Sequence, residues 1–101
     1  MNIKDLSNEV EKVSLNYAKE LEIDRDGNWF VLKLQEEIGE LTQSYLMMIK
    51  QGRHKGKTEE EIKNDFRKEV ADVFGHILLL AKFYKIDLEK EVEEKWLKWK
   101  K

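Results

Sequence analysis

Apolar residues recur every three or four positions along nearly the whole chain, and no stretch alternates apolar with polar residues as a strand would. The longest stripe, Ile62, Phe66, Val70, Val73, Ile77, Leu80 and Tyr84, predicts a helix on the order of 40 Å long at 1.5 Å rise per residue. Thr58 and Glu61 form a capping box at its start. Before it, Leu6, Val10, Val13, Tyr17 and Leu21 predict a helix from Ile3 to about Ile23. A loop follows from Asp24 to Asn28, where Gly27 and Asn28 can take positive φ. A second helix is expected from about Trp29 to Gln51, with Phe30, Leu34, Ile38, Leu41, Tyr45 and Met48 in its stripe and Gly52 as its stop. Asp87 can cap a fourth helix, carrying Leu88, Val92, Trp96 and Trp99 to the basic end of the chain. The expected fold is all-α, a hairpin of the second and third helices flanked by the first and fourth. Ile77 to Ala81 is apolar around most of a turn, which asks for cover from more than one side, and a second subunit would supply it.

The 101 residues contain no Pro and no Gly/Ser run to mark a boundary, so residues 1–101 read as a single domain. A domain of this size buries only roughly two-thirds of the surface its unfolded chain exposes, and association would help it. With 19 basic against 21 acidic residues and a net charge of -2, no field draws in a nucleic-acid polymer, although small nucleotides stay within reach. The absence of Cys excludes disulfides and thiolate metal sites. No apolar run approaches the roughly 18 residues of a membrane span and no signal core opens the chain, so a soluble, cytoplasmic protein is expected.

Chemistry concentrates in two acidic pairs. Residues three apart on a helix lie about 60° apart, so Glu37 shares a face with Glu40, and Glu69 with Asp72. Lys33, Glu37, Glu40 and Ser44 fall on a strip beside the apolar stripe of the second helix. Asp65, Glu69, Asp72 and His76 do the same on the third. Four carboxylates converging there would repel one another unless a cation of charge two or more neutralised them, most simply Mg²⁺, with Mn²⁺ as a substitute. The duller reading is a solvated face, as for Glu59, Glu60 and Glu61, or Glu89, Glu91, Glu93 and Glu94. His76 reads first as a packed, hydrogen-bonded residue and second as a ligand. Trp29, Phe30, Trp96 and Trp99 can stack on a base, but aromatics at helical spacing are mainly core. Arg53, Lys55 and Lys57 can reach toward phosphates, yet their loop reads as a solvated connector. A di-iron bundle would need Glu-x-x-His pairs, which this chain lacks.

Glu36-Glu37-x-x-Glu40, then 28 residues, then Glu69-x-x-Asp72 resembles the signature of the MazG-like nucleotide pyrophosphohydrolases, within the all-α NTP pyrophosphatase superfamily. Lys33-Leu34, Gly39-Glu40-Leu41, Val73 and Ile86-Asp87-Leu88-Glu89 agree with it, and the likeness runs from about Trp29 to Lys95. The resemblance implies a four-helix subunit whose bundle is completed in a homodimer or homotetramer. It also implies Mg²⁺-dependent hydrolysis of a nucleoside triphosphate to monophosphate and pyrophosphate, often to remove non-standard nucleotides. By position Glu37, Glu40, Glu69 and Asp72 would be metal ligands, Glu36 or Glu40 the base, and Lys33 and Lys95 would lie near the phosphates. Trp99 stands where many relatives carry an Asn. That departure keeps open an alternative, an idle helical module for oligomerisation or partner binding.

Overall fold

A computed structural model describes residues 1–50 and 52–101, and among them the regular elements are all helical. They are α1 (Ile3–Glu20), α2 (Gly27–Met48), α3 (Glu59–Phe83), α4 (Leu88–Lys95) and a closing 3₁₀ turn, Leu97–Trp99. The expected end of the second helix at Gln51 lies outside the described residues. No helix among them is long and apolar enough to cross a membrane.

Side chains at each α-helix start accept hydrogen bonds from otherwise free amides: Asn2 from Asp5, Asp26 from Trp29, Thr58 from Glu61 and Asp87 from Lys90. The Thr58 amide in turn donates to Glu61 Oε1 at 2.9 Å, completing the expected capping box. Because Asp26 is the cap, Gly27 and Asn28 belong to the first turn of α2 and not to a loop. A Cβ at Gly27 would fall on the Tyr84 hydroxyl, so a larger residue there would push that exposed ring aside.

Helix ends are turned by charged residues instead. Glu22 (φ 54°), Lys50 (φ 67°) and Lys85 (φ 57°) take the left-handed conformation that glycine adopts at lower cost. At Glu22 the Ile23 amide donates to the Ala18 carbonyl at 2.8 Å, and at Lys85 the Ile86 amide donates to Ala81, also at 2.8 Å. Both are Schellman closures.

The hairpin of α2 and α3 carries most of the tertiary packing. Its antiparallel register sets Tyr45 by Phe66 at one end (6.3 Å between ring centroids), Glu37 by His76 midway, and Phe30 by Phe83 at the other (4.6 Å). α1 crosses α3 where Val10 comes nearest Gly75. Arg25 locks the α1–α2 connection: its Nη1 donates to Glu11 at 2.5 Å and to Ser14 Oγ at 3.0 Å, and its guanidinium lies 5.2 Å from the centre of the Phe30 ring.

The buried apolar set is small: Ala18, Phe30, Ile62, Leu78, Leu79 and Ala81. On α1 the face turned inward is not the expected Val13-Tyr17-Leu21, all of which are exposed, but Ser14 and Ala18. Small side chains allow α1 to lie close to its neighbours, and bulky ones are turned aside. The fourth helix also departs from expectation. It stops at Lys95, packs only marginally on the other helices, and leaves Val92, Trp96 and Trp99 exposed. A radius of gyration of 16.1 Å, against about 13 Å for a compact chain of this length, records the same looseness.

Replacing Glu22 or Lys85 by Gly relieves a left-handed backbone without removing a core contact. Each substitution is expected to raise unfolding stability by about 1 kcal/mol in a denaturant titration.

Candidate metal centre

Midway along the hairpin, α2 turns Glu37 toward α3 in place of an apolar residue, and Glu37 is buried. Glu37, Glu40 and Glu69 each bring one carboxylate oxygen within 4.8 Å of the other two. Glu69 is half-buried and Glu40 exposed, so the group runs from the helix seam to the surface. Glu37 Oε2 and Glu69 Oε2 are inaccessible to solvent and have no hydrogen-bond partner. Such oxygens are costly unless something else satisfies them.

Burial pushes the Glu37 carboxyl up to about 7, assisted by the charges of Glu40 and Asp72 and by a shared hydrogen bond with Glu40. Glu69 is raised as well, first by burial and then by Asp72 and Glu40. His76 moves the other way: burial lowers it, and the Lys33 charge adds to that. Its Nε2 lies 3.7 Å from Glu37 Oε1, but with His76 lowered by burial and Glu37 only partly ionised near neutrality this contact is not a full ion pair.

The remaining candidates are distributed around this group. Asp72 stands outside the set of three, yet its charge acts on both Glu37 and Glu69, and with Glu37 it borders a common cavity. Glu36 points to the surface, 3.3 Å from Lys33 Nζ. Burial opposes the charge on Lys33, but the Glu36 carboxylate, with Tyr17 and Glu37, outweighs it and the net shift is upward. Lys95 is not brought to the site: it sits on exposed α4, away from the cavity. Lys57 is engaged with Asp65 at 2.5 Å, and Arg53 and Lys55 are exposed in the α2–α3 connection.

The cavity measures about 400 Å³ and opens between α1, α2 and α3, with Tyr17, Trp29, Lys33, Asp72 and His76 among its walls. A larger one, about 600 Å³, lies where α1 begins and α3 meets α4, but does not border Glu37. Periodicity placed Tyr17 in a core stripe and gave no sign of the small residues Ser14, Ala71 and Gly75 that shape the cavity. Only the crossing of α1 over α3 brings them together.

The donor set suits a hard divalent ion. Carboxylate oxygens from two helices, two of them unpartnered and buried, match the oxygen preference of Mg²⁺ or Mn²⁺, and no thiolate competes.

The sign of the Glu37 shift gives a pH dependence. Below about pH 4.5 the carboxyl is protonated in both folded and unfolded chains. Between 4.5 and about 7 the unfolded chain releases the proton while the folded one keeps it, so the metal-free protein loses stability as pH rises through this window. The lowered His76 acts oppositely, costing stability as pH falls through its ordinary 6.5. Glu37→Gln isolates the acid: without metal at pH 8 it is expected to be more stable than wild type by roughly 1–3 kcal/mol, a gain absent at pH 4. Thermal melts at the two pH values check this.

Comparison of the chain with known protein families, with characterised proteins and with solved structures returns no match, so the reading of this centre rests on its own residues.

Proposed function

We propose that the protein is a Mg²⁺-dependent nucleoside triphosphate pyrophosphohydrolase of the MazG-like type, releasing nucleoside monophosphate and pyrophosphate, with removal of non-standard nucleotides as its role. The observation that carries this is the group of Glu37, Glu40 and Glu69, two of whose oxygens are buried and unpartnered, joined through Glu37 to a cavity large enough for a small organic ligand. The motif spacing around those residues supports the same reading.

Glu37, Glu40 and Glu69 would hold the ion, with Asp72 at the rim. Mg²⁺ there would bind phosphate oxygens and offset the charge that builds on departing pyrophosphate. Water attacks the α-phosphorus in line, the bond to the bridging oxygen breaks, and pyrophosphate leaves. Glu40, the exposed member of the group, would orient that water and take its proton. Glu36, exposed and outside the group of three, is the weaker candidate for the base. Lys33, on the cavity wall, supplies a cation for the phosphates.

A homodimer or homotetramer belongs to the proposal. Val70 and Phe74 on α3 and Val31, Ile38 and Tyr45 on α2 are exposed in the single chain, apolar surface on the hairpin that a second subunit would cover. The same exposure, with Lys95 absent from the cavity lining, favours the second reading, an oligomerisation or partner-binding module without catalysis.

Pyrophosphate release from a panel of standard and modified nucleoside triphosphates separates the two. Release is expected with Mg²⁺ and abolished by chelator. Glu40→Gln should lower kcat about 100-fold or more, and Lys33→Gln should lower kcat/KM about tenfold. A folded oligomer that releases none from any nucleotide would establish the idle module. Sedimentation should give a dimer or tetramer for wild type and a smaller species for Phe74→Glu, which sets a charge in the exposed apolar ridge.

A further inference from the structure

The cavity beside the carboxylates is polar at one end and apolar at the other. Lys33, Glu37 and Asp72 lie at the acidic end, while Val10, Val13 and Leu79 line the part over which α1 crosses α3. Asp72 and Leu79 are seven residues apart on one helix, so the cavity wall extends about 10 Å away from the acids. Trp29 and Tyr17 stand along that length.

Gly75 at the crossing has no local reason to be glycine. Its backbone is helical, and a Cβ would meet only Val10 Cγ1, at 4.0 Å, an ordinary contact. Glycine inside a helix weakens it relative to alanine. Gly75 is half-buried, and with the exposed Ala71 one turn earlier and Ser14 opposite it leaves open a groove that larger side chains would close. What these small residues accomplish is room, and the room adjoins the acids.

We infer that this cavity is the subsite for the nucleoside end of the substrate, with Trp29 as a stacking wall and Gly75 and Ala71 setting its depth. The inference rests on the nucleotide reading above and adds which face of the site takes the base. The phosphates then point toward Lys33 and the carboxylates, and the base lies between Trp29 and the floor of α3. Larger side chains at positions 71 or 75 restrict which bases fit.

The test is a titration of the full chain with the 5′-monophosphates of adenosine, guanosine, cytidine, uridine and thymidine, following the indole N–H resonance of Trp29. At least one is expected to shift it saturably, with inorganic pyrophosphate alone leaving it in place. Gly75→Leu should weaken that binding tenfold or more, while calorimetry gives a Mg²⁺ affinity within about twofold of wild type. Ala71→Leu, at a position open to solvent on its outer side, fills the same space without demanding refolding and should weaken binding about tenfold as well. No shift at Trp29 with any monophosphate, or wild-type affinity in Ala71→Leu, overturns the subsite. Since monophosphates are not turned over, this outcome is independent of the reaction. Binding without pyrophosphate release from any triphosphate would remove the reaction and keep the subsite; release without a Trp29 shift would do the reverse.

Discussion

The seam between α2 and α3 is closed in its middle by a carboxylate, and most of what is unusual in this protein follows from that. A buried Glu37 facing Glu69 and Glu40 is poor packing by ordinary standards, since like charges in a low-dielectric seam repel and two of their oxygens have no donor. Protonation relieves part of the repulsion, and a divalent cation would relieve more. The hairpin tolerates the acids because apolar pairs hold the seam on either side of them, Phe30 with Phe83 toward one end and Tyr45 with Phe66 toward the other. Stability at the ends supports strain at the middle.

Around this hairpin the chain is thinly built. α1 lies on α3 through small residues and is tied down by Arg25, whereas α4 projects with its tryptophans in water. With so few apolar side chains buried, the single chain has little core for its length. Association would add core where Val70 and Phe74 now face solvent, and the carboxylate centre would then sit inside a larger, stiffer body. The cavity beside the acids belongs to the same economy: α1 covers α3 without filling the space over Gly75.

Much of the fold was legible in the residues. Repeats of three and four identified all four helices, and the caps at Thr58 and Asp87 were readable because a capping side chain acts on an amide only a few residues away. Errors fell where local signals and packing disagree. Gly27 and Asn28 looked like a turn, but Asp26 captures the Trp29 amide and draws them into α2, and the positive φ passes to Glu22. Val13, Tyr17 and Leu21 looked like core because they are apolar and periodic, yet Ser14 and Ala18 are what a close crossing admits.

The candidate site divides along the same line. Spacing alone determined that Glu37 shares a face with Glu40 and Glu69 with Asp72, because the helical repeat is a property of the backbone and needs no partner. The net charge, the absence of thiols and the motif order likewise belong to the sequence. Which of the four acids meet was decided by the register of α2 against α3, which draws Glu69 into the group with Glu37 and Glu40 and leaves Asp72 at its edge. Burial of Glu37, the absence of Lys95 from the cavity lining and the open space over Gly75 were decided there too. They depend on how far apart helix axes come to rest, a distance set by the sum of many side-chain contacts and written in no single stretch of the chain.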